Sequence, residues 1–255
     1  MTRIVTAPLR GRLGNLLFQI AATYTYAELS GRQAYFHPGN NDLGSYLKNI
    51  FRNVTWVNQL PPFTDLRHPF VFKPIPTLDN VSSLFLNVSY FQSEKYLNSK
   101  LVKKLFEITP EIKEYILSKY ADIQSRTSIH VRRGDYLHTN NHGHHPILPI
   151  DTYYNKAIEM FPDEKFIIFS DDIEWCKQNF NIADAIFVSE KDYVELYMMS
   201  LCKNNIIANS SFSWWGAYLN ENPDKKVVAP DQWFGPKSPN DYRDIVPDSW
   251  IKITY

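Results

Sequence analysis

Apolar residues recur along this chain in two rhythms. Short runs rich in Val, Ile and Phe read as strands at about 3–9, Gln33–Phe36, Thr127–Val131, Lys165–Phe169, 185–189, Asn205–Ala208 and 226–229. Between them lie stretches of helical spacing: about 13 to Ser30-Gly31, then 151–161, 172–180, 191–203 and 213–220. Thr109-Pro110-Glu111 predicts a helix start, with Thr as N-cap and Pro at the first helical position, and that helix runs to about Tyr120. From Arg126 onward strands and helices alternate strictly, which predicts βαβ units around a parallel sheet. The segment 37–80 breaks the rhythm with Pro38, Pro61, Pro62, Pro69, Pro74 and Pro76, so long surface loops around short strands are expected there. The expected organisation is two α/β halves. The first covers 1–124 and the second, more regular, covers 125–255, with the last residues available to pack back on the first half.

Composition narrows the function. The chain has 255 residues, with Lys+Arg and Asp+Glu both at 27. A balanced charge argues against nucleic acid or an anionic membrane as the main partner, since both require a basic surplus. No apolar run reaches the length of a membrane span, and the first residues enter a strand rather than a leader. The chain is therefore expected to be soluble and cytoplasmic. Cys176 and Cys202 both fall in helical segments without a Cys-x-x-Cys pair, which predicts two buried thiols.

Candidate chemistry gathers where expected strands end, the usual ligand edge of an open parallel sheet. His130-Val131-Arg132-Arg133-Gly134-Asp135-Tyr136 places two planar guanidinium forks beside a strand end, suited to phosphate; an Arg–Asp135 ion pair that only shapes the turn is the alternative. Gly11-Arg12-Leu13-Gly14-Asn15 opens the first helix, where a backbone turn and a helix N-terminus can face an anion or merely pack. Ser170-Asp171-Asp172 admits a helix cap, a metal-binding carboxylate pair or a polar nucleotide contact. In Asn209-Ser210-Ser211-Phe212-Ser213-Trp214-Trp215, hydroxyl groups can cap a helix whose N–H groups face a phosphate, and one of the two Trp is expected in the core. The run His138–His145 reads first as a solvated loop, with substrate contact or proton transfer as the second reading.

Taken together, these segments resemble the α-1,2-fucosyltransferases of glycosyltransferase family 11, over residues 7 to 235. The resemblance rests on Gly11 through Gln19, His130 through Tyr136, Phe169 through Asp172 and Asn209 through Leu219, in the family's order and approximate spacing. It departs at Arg12, Leu16 and Leu17, where the family commonly carries Gly, Gln and Met. The resemblance implies a GT-B-type fold of two Rossmann-like halves facing an interdomain cleft, with the acceptor on the first half and the donor on the second. It implies inverting, metal-independent transfer of L-fucose from GDP-β-L-fucose to a galactose-containing glycan, with no cofactor. By similarity, Arg132 or Arg133 clamps the β-phosphate, His130 touches guanine, and Glu195 pairs with guanine. Asn15, with Arg12 and Gly14, reaches the pyrophosphate. Ser170, Asp171, Asp172, Asn209, Ser210, Ser211 and Phe212 complete the donor side, and His145 and Trp214 the acceptor side. The acceptor hydroxyl needs a base, for which Asp135, His145 and Glu28 are available; Asp135 is the leading choice. A non-catalytic sugar- or nucleotide-binding module and a metal-dependent transferase using Asp171 and Asp172 are the competing readings.

Overall fold

The computed structural model describes residues 2–39, 43–88, 90–138 and 143–255. The chain divides into two compact units, 1–108 with Arg243–Ile245, and Thr109–Tyr242 with Val246–Tyr255.

In the first unit, strands β1 (Ile4–Thr6), β2 (Gln33–Ala34), β3 (Thr64–His68) and β4 (Ser83–Val88) form a parallel sheet in the order β2-β1-β4-β3. Helix α1 (Leu13–Ser30) follows β1 and is buried nearly all round, which matches its almost uninterrupted apolar sequence. Its neighbour α2 (Ser99–Leu105) starts at Asn98, whose side chain accepts the Leu101 N–H. The 37–80 segment is mostly irregular, as expected, with β3 as its short strand.

The second unit is more regular. Strands β5 (Arg126–Val131), β6 (Lys165–Ser170), β7 (Ile186–Val188), β8 (Asn204–Ile206), β9 (Val227–Pro230) and β10 (Ile251–Ile253) form a parallel sheet in the order β10-β9-β8-β5-β6-β7. All six residues of β5 are buried, because helices cover both faces of a parallel sheet. The connecting helices are α3 (Pro110–Lys119), α4 (Asn155–Glu159), α5 (Ile173–Asn179), α6 (Asp192–Leu201) and α7 (Ser211–Tyr218).

Three details differ from expectation. Helix α3 belongs to the second unit, so the junction precedes it instead of following at 124. Tyr115, Lys119 and Tyr120 converge on Glu190, at 3.0, 2.6 and 3.1 Å, and tie α3 to the segment before α6. The last residues form β10 beside β9 in the second sheet; only Arg243–Ile245 groups with the first unit, where Asp244 pairs with Lys95. The expected helix 151–161 begins as a wide π turn at Ile150–Tyr154. That turn sends two successive tyrosines inward: the Tyr153 hydroxyl donates to Ile207 O at 2.5 Å and the Tyr154 hydroxyl to His130 O at 3.2 Å. The carboxyl ends of β8 and β5 are thereby bolted to one helix.

Each sheet has a point where strand order reverses direction. In the second it lies between β5 and β8, and in the first between β1 and β4. Crevices outside the carboxyl ends of strands at such points are where open α/β sheets bind ligands.

Candidate functional site

At the switch point of the second unit, the turn after β5 is built from charge. Asp171, at the end of β6, accepts the Arg133 backbone N–H through Oδ1 at 2.9 Å and the Arg132 guanidinium through Oδ2 at 2.6 Å. Its carboxylate lies directly over Gly134, so a Cβ there would push the Asp171 carboxylate aside. Arg132 also pairs with Asp135, and its guanidinium lies 5.3 Å from the centre of the Tyr136 ring.

Arg133 is held differently. Its Nε donates to Asp172 Oδ2 at 3.1 Å, and the guanidinium carbon lies 3.5 Å from the Trp175 ring centre, a close stacking contact. Asp172 caps α5 by accepting the Trp175 N–H through its other oxygen, so one carboxylate fixes both the helix and the arginine. The terminal nitrogens Nη1 and Nη2 of Arg133 make no hydrogen bond among the described residues. The result is a guanidinium locked at its base and stacked on one face, with its two-nitrogen fork uncommitted. Trp175 was not among the residues singled out by sequence; its signal was the spacing Asp172-x-x-Trp175, which places the ring one turn into α5 next to the arginine.

Around this turn the other expected residues fall into two groups. Glu195, in the first turn of α6, is half-buried and accepts the Glu190 N–H at 3.0 Å. Burial, with help from the nearby carboxylates of Asp192, Glu190 and Asp171, pushes its carboxyl up to about 7. His145 stacks on Tyr136 at 4.9 Å and meets the Phe234 ring edge-on; burial pulls its imidazole below the usual range, with the Asp135 charge opposing. The Ser170 hydroxyl accepts the Asp172 N–H at 3.0 Å, and Ser211 and Phe212 at the start of α7 stay half-buried.

The second group is enclosed. His130 is 4% exposed, packed against Phe212, and its imidazole is pushed down to about 3 by burial and by Arg132. It lies inside β5, whose both faces are covered. Asn209 donates to Pro146 O and Trp233 O at 2.9 and 3.2 Å, tying two loops together, and Ser210 caps α7 by accepting the Phe212 N–H. Trp214 does not reach an acceptor surface. Trp214 and Trp215 are both fully buried, Trp214 against Tyr218 and Trp250, so two Trp rather than one belong to the core. Cys176 and Cys202 are buried free thiols. Within the His138–His145 run, residues 139–142 lie outside the described residues.

In the first unit, the loop before α1 is organised by amides. Gln19 accepts the Arg10 N–H and donates to Arg10 O, both at 2.8 Å, and donates to Asn15 O at 2.9 Å. Gln92, beyond β4, donates to Asn15 Oδ1 at 2.8 Å, leaving Asn15 Nδ2 as the outward donor of that side chain. Gly11 has φ +87°, and a Cβ there would collide with Asn15 Nδ2. Gln92 follows Phe91, a non-glycine residue at φ +54°, the kind of strained backbone that persists where a side chain must be aimed. Glu28 accepts from Asn98 at 2.6 Å on α1, far along the helix from this loop. Neither Gln92 nor Gln19 was singled out for chemistry by sequence.

Among the described residues, no group of three or more His, Cys, Asp and Glu is arranged to hold a metal ion, and no helix is long and apolar enough to cross a membrane. Asp171 and Asp172 face the two arginines, so their charge is already matched by guanidinium groups.

The profile of glycosyl transferase family 11 matches residues 2–254. The chain belongs to glycosyltransferase family 11. Its similarity is 31% to an α-1,2-colitosyltransferase of Escherichia coli, over 98% of this chain and 99% of that one. It is 39% identical to the O-antigen biosynthesis glycosyltransferase WbnK of Escherichia coli over 65% of this chain, and 26% to mouse galactoside α-(1,2)-fucosyltransferase 1 over 82%. These matches span 59% and 61% of those two proteins' own lengths. Among solved structures, the family 11 chain resembles the α-1,6-fucosyltransferase NodZ co-crystallised with GDP, at 15% identity and a TM-score of 0.59, over 85% of this chain and 92% of that one. It also resembles Arabidopsis thaliana FUT1 at 12% identity and a TM-score of 0.52, over 98% and 76%. The fold is thus the mixed α/β, parallel-sheet GT-B type that the sequence implied.

Proposed function

We propose that this family 11 member transfers L-fucose from GDP-β-L-fucose to a glycan hydroxyl, most simply the 2-hydroxyl of a galactose unit, with inversion and without a metal. The observation that carries this reading is the Arg133 fork, set at a switch point and pre-oriented by Asp172 and Trp175. A nucleoside diphosphate leaving group gains negative charge as the sugar departs, and a fixed, partly desolvated guanidinium stabilises that charge without reorganisation. The fork suits two phosphate oxygens. Arg132, shared between Asp135 and Asp171, has the supporting role of shaping the turn.

In this reading the acceptor oxygen attacks the anomeric carbon while the bond from that carbon to the β-phosphate oxygen breaks. The electron pair stays on the phosphate and the acceptor proton passes to a base. Asp135 is committed to Arg132, so we assign the proton to His145, held neutral by burial beside Asp135, with Asp135 as its electrostatic partner. Ionised Glu195 would accept the two N–H groups of guanine, and Ser211 and Phe212 would border the nucleotide at the start of α7. Gly14, Asn15 and Arg12 of the first-unit loop have the donor chemistry for an anion. Transfer of colitose is the second reading, favoured by the end-to-end match to the colitosyltransferase. A non-catalytic binding module would retain the fold and the aromatic residues but gives no reason for a locked, uncommitted guanidinium.

The test is calorimetric titration with GDP, ADP and UDP, with and without EDTA, followed by transfer assays offering nucleotide-linked fucose and colitose to β-galactosides. Selective GDP binding that survives EDTA, with fucose transferred, is the expected result. Indifference to the base, or loss in EDTA, overturns the reading.

A further inference from the structure

Helix α3 is attached to the second unit largely through one carboxylate. Of its residues only Ile116 is fully buried, so apolar burial gives this helix a single anchor point. The Tyr115 hydroxyl donates to Glu190 Oε1 and Oε2 at 3.0 and 3.1 Å. The Lys119 ammonium and the Tyr120 hydroxyl donate to Oε1 at 2.6 and 3.1 Å. The Glu190 side chain is 12% exposed. Burial alone would raise its carboxyl, but donation from Lys119, Tyr115 and Tyr120 outweighs burial and holds it below the usual range, so it stays ionised. A surface ion pair contributes little to stability. Three donors from one helix end, converging on one shielded carboxylate, do something else: they fix where residue 190 lies.

That position matters because the Glu190 N–H donates to Glu195 Oε1 at 3.0 Å, while Glu195 Oε2 makes no hydrogen bond among the described residues. The Val194 and Glu195 N–H groups both donate to Lys191 O, at 2.9 and 3.0 Å, so α6 starts directly after residue 190 and Glu195 reaches back over its first turn. The last torsion of a glutamate side chain is broad, and a carboxylate with no donor on it swings freely. One fixed N–H on Oε1 sets its plane and leaves Oε2 presented. Guanine offers its N1–H and 2-amino group side by side, and a carboxylate accepts from both only when its plane meets that edge.

We propose that Glu190 is a positioning residue for base recognition: gripped by Tyr115, Lys119 and Tyr120, it holds its own N–H where Glu195 must turn its carboxylate to the guanine edge. This rests on the reading of Glu195 as the guanine acceptor, and it gives α3, distant in sequence from every donor motif, a share in base selectivity.

The experiment is calorimetric titration of the full chain with GDP, with inosine 5′-diphosphate, which lacks the 2-amino group, and with inorganic pyrophosphate, which lacks the base; ADP and UDP are run in parallel. Wild type prefers GDP to inosine diphosphate by about tenfold, as expected for one hydrogen bond to a charged acceptor. Glu190→Ala reduces that preference to about threefold or less and leaves pyrophosphate affinity unchanged. In Glu195→Ala the preference is gone, and adding Glu190→Ala changes it no further, because the two residues act through one contact. Should Glu190→Ala fail to fold, Tyr115→Phe/Tyr120→Phe keeps the carboxylate, removes both hydroxyl donors and lowers the preference in the same direction. Full preference in the folded variant overturns the inference. So does an equal loss for GDP, inosine diphosphate and pyrophosphate, which would make α3 a support of the fold alone. Wild type that selects GDP over ADP and UDP yet binds inosine diphosphate equally also overturns it. No selection among GDP, ADP and UDP counts instead against the proposed function itself.

Discussion

The two sheets brace the loops at their carboxyl edges with different materials. In the second unit the switch-point turn is made of charged groups, two arginines and three aspartates, with the half-buried Glu195 nearby at the start of α6. In the first unit the loop between β1 and α1 is braced by neutral amides, Gln19 and Gln92 on either side of Asn15, with Arg10 and Arg12 in the same loop. In the proposed function a leaving diphosphate needs charge arranged before it arrives, which the second unit supplies. Carboxylates do the arranging in the second unit, at the cost that each arginine must be locked without being neutralised at its working end. Arg133 meets that condition because Asp172 takes Nε and leaves the terminal nitrogens open.

The contrast can be broken most forcefully at Arg133. Arg133→Ala is expected to lower turnover by roughly 10²–10³, the range for deleting one preorganised charge-stabilising donor, measured by steady-state kinetics. Arg133→Lys should recover little, because a point charge can neither stack on Trp175 nor offer a fork. Gly134→Ala comes next. Its methyl group displaces the Asp171 carboxylate from both arginines, and turnover should fall about tenfold or more through loss of orientation. In the first unit, Gln92→Leu removes the bond that orients Asn15, and a loss of about tenfold in turnover is expected at unchanged thermal stability. An unaltered rate would show that the amide device is only packing.

The smallest effect is a pH dependence. Glu195 has its carboxyl raised to about 7, so it is mostly protonated at pH 6 and mostly ionised at pH 8. If the ionised form accepts guanine N–H groups, GDP affinity rises by several-fold across that interval, and Glu195→Gln flattens the rise. His130 sharpens the same comparison through stability. Its imidazole, lowered to about 3, stays neutral when folded but protonates below about 6.5 when unfolded, so its contribution to folding stability is lost progressively as the pH falls below about 6.5. Thermal unfolding from pH 7 to 4 reads that loss, and His130→Asn should lessen it.

Much of the second unit was legible in sequence because its strands are β-branched runs covered on both faces, and each ends in a turn with chemistry. The first unit was harder to read. Strand β3, Thr64–His68, is polar because it is the sheet's edge and mostly exposed, so no apolar alternation announces it. The arginine pair was visible, but its division of labour was not: which guanidinium is shared and which is locked depends on Asp171, Asp172 and Trp175 arriving from β6 and α5. Enclosure was equally invisible. His130, Asn209 and Trp214 lie in motifs that read as site, yet each side chain is buried. The place of α3 was misjudged because Glu190, its anchor, lies seventy residues away in sequence.

In the proposed function Arg133 is the locked clamp and Arg132 the turn-former. Calorimetric titration of GDP into wild type, Arg133→Lys and Asp172→Asn tests it most directly. The prediction is a loss of binding of about tenfold or more in Arg133→Lys and a smaller loss in Asp172→Asn, where the fork remains but its lock is weakened. Wild-type GDP affinity in Arg133→Lys would contradict the account, and would move the clamp to Arg132.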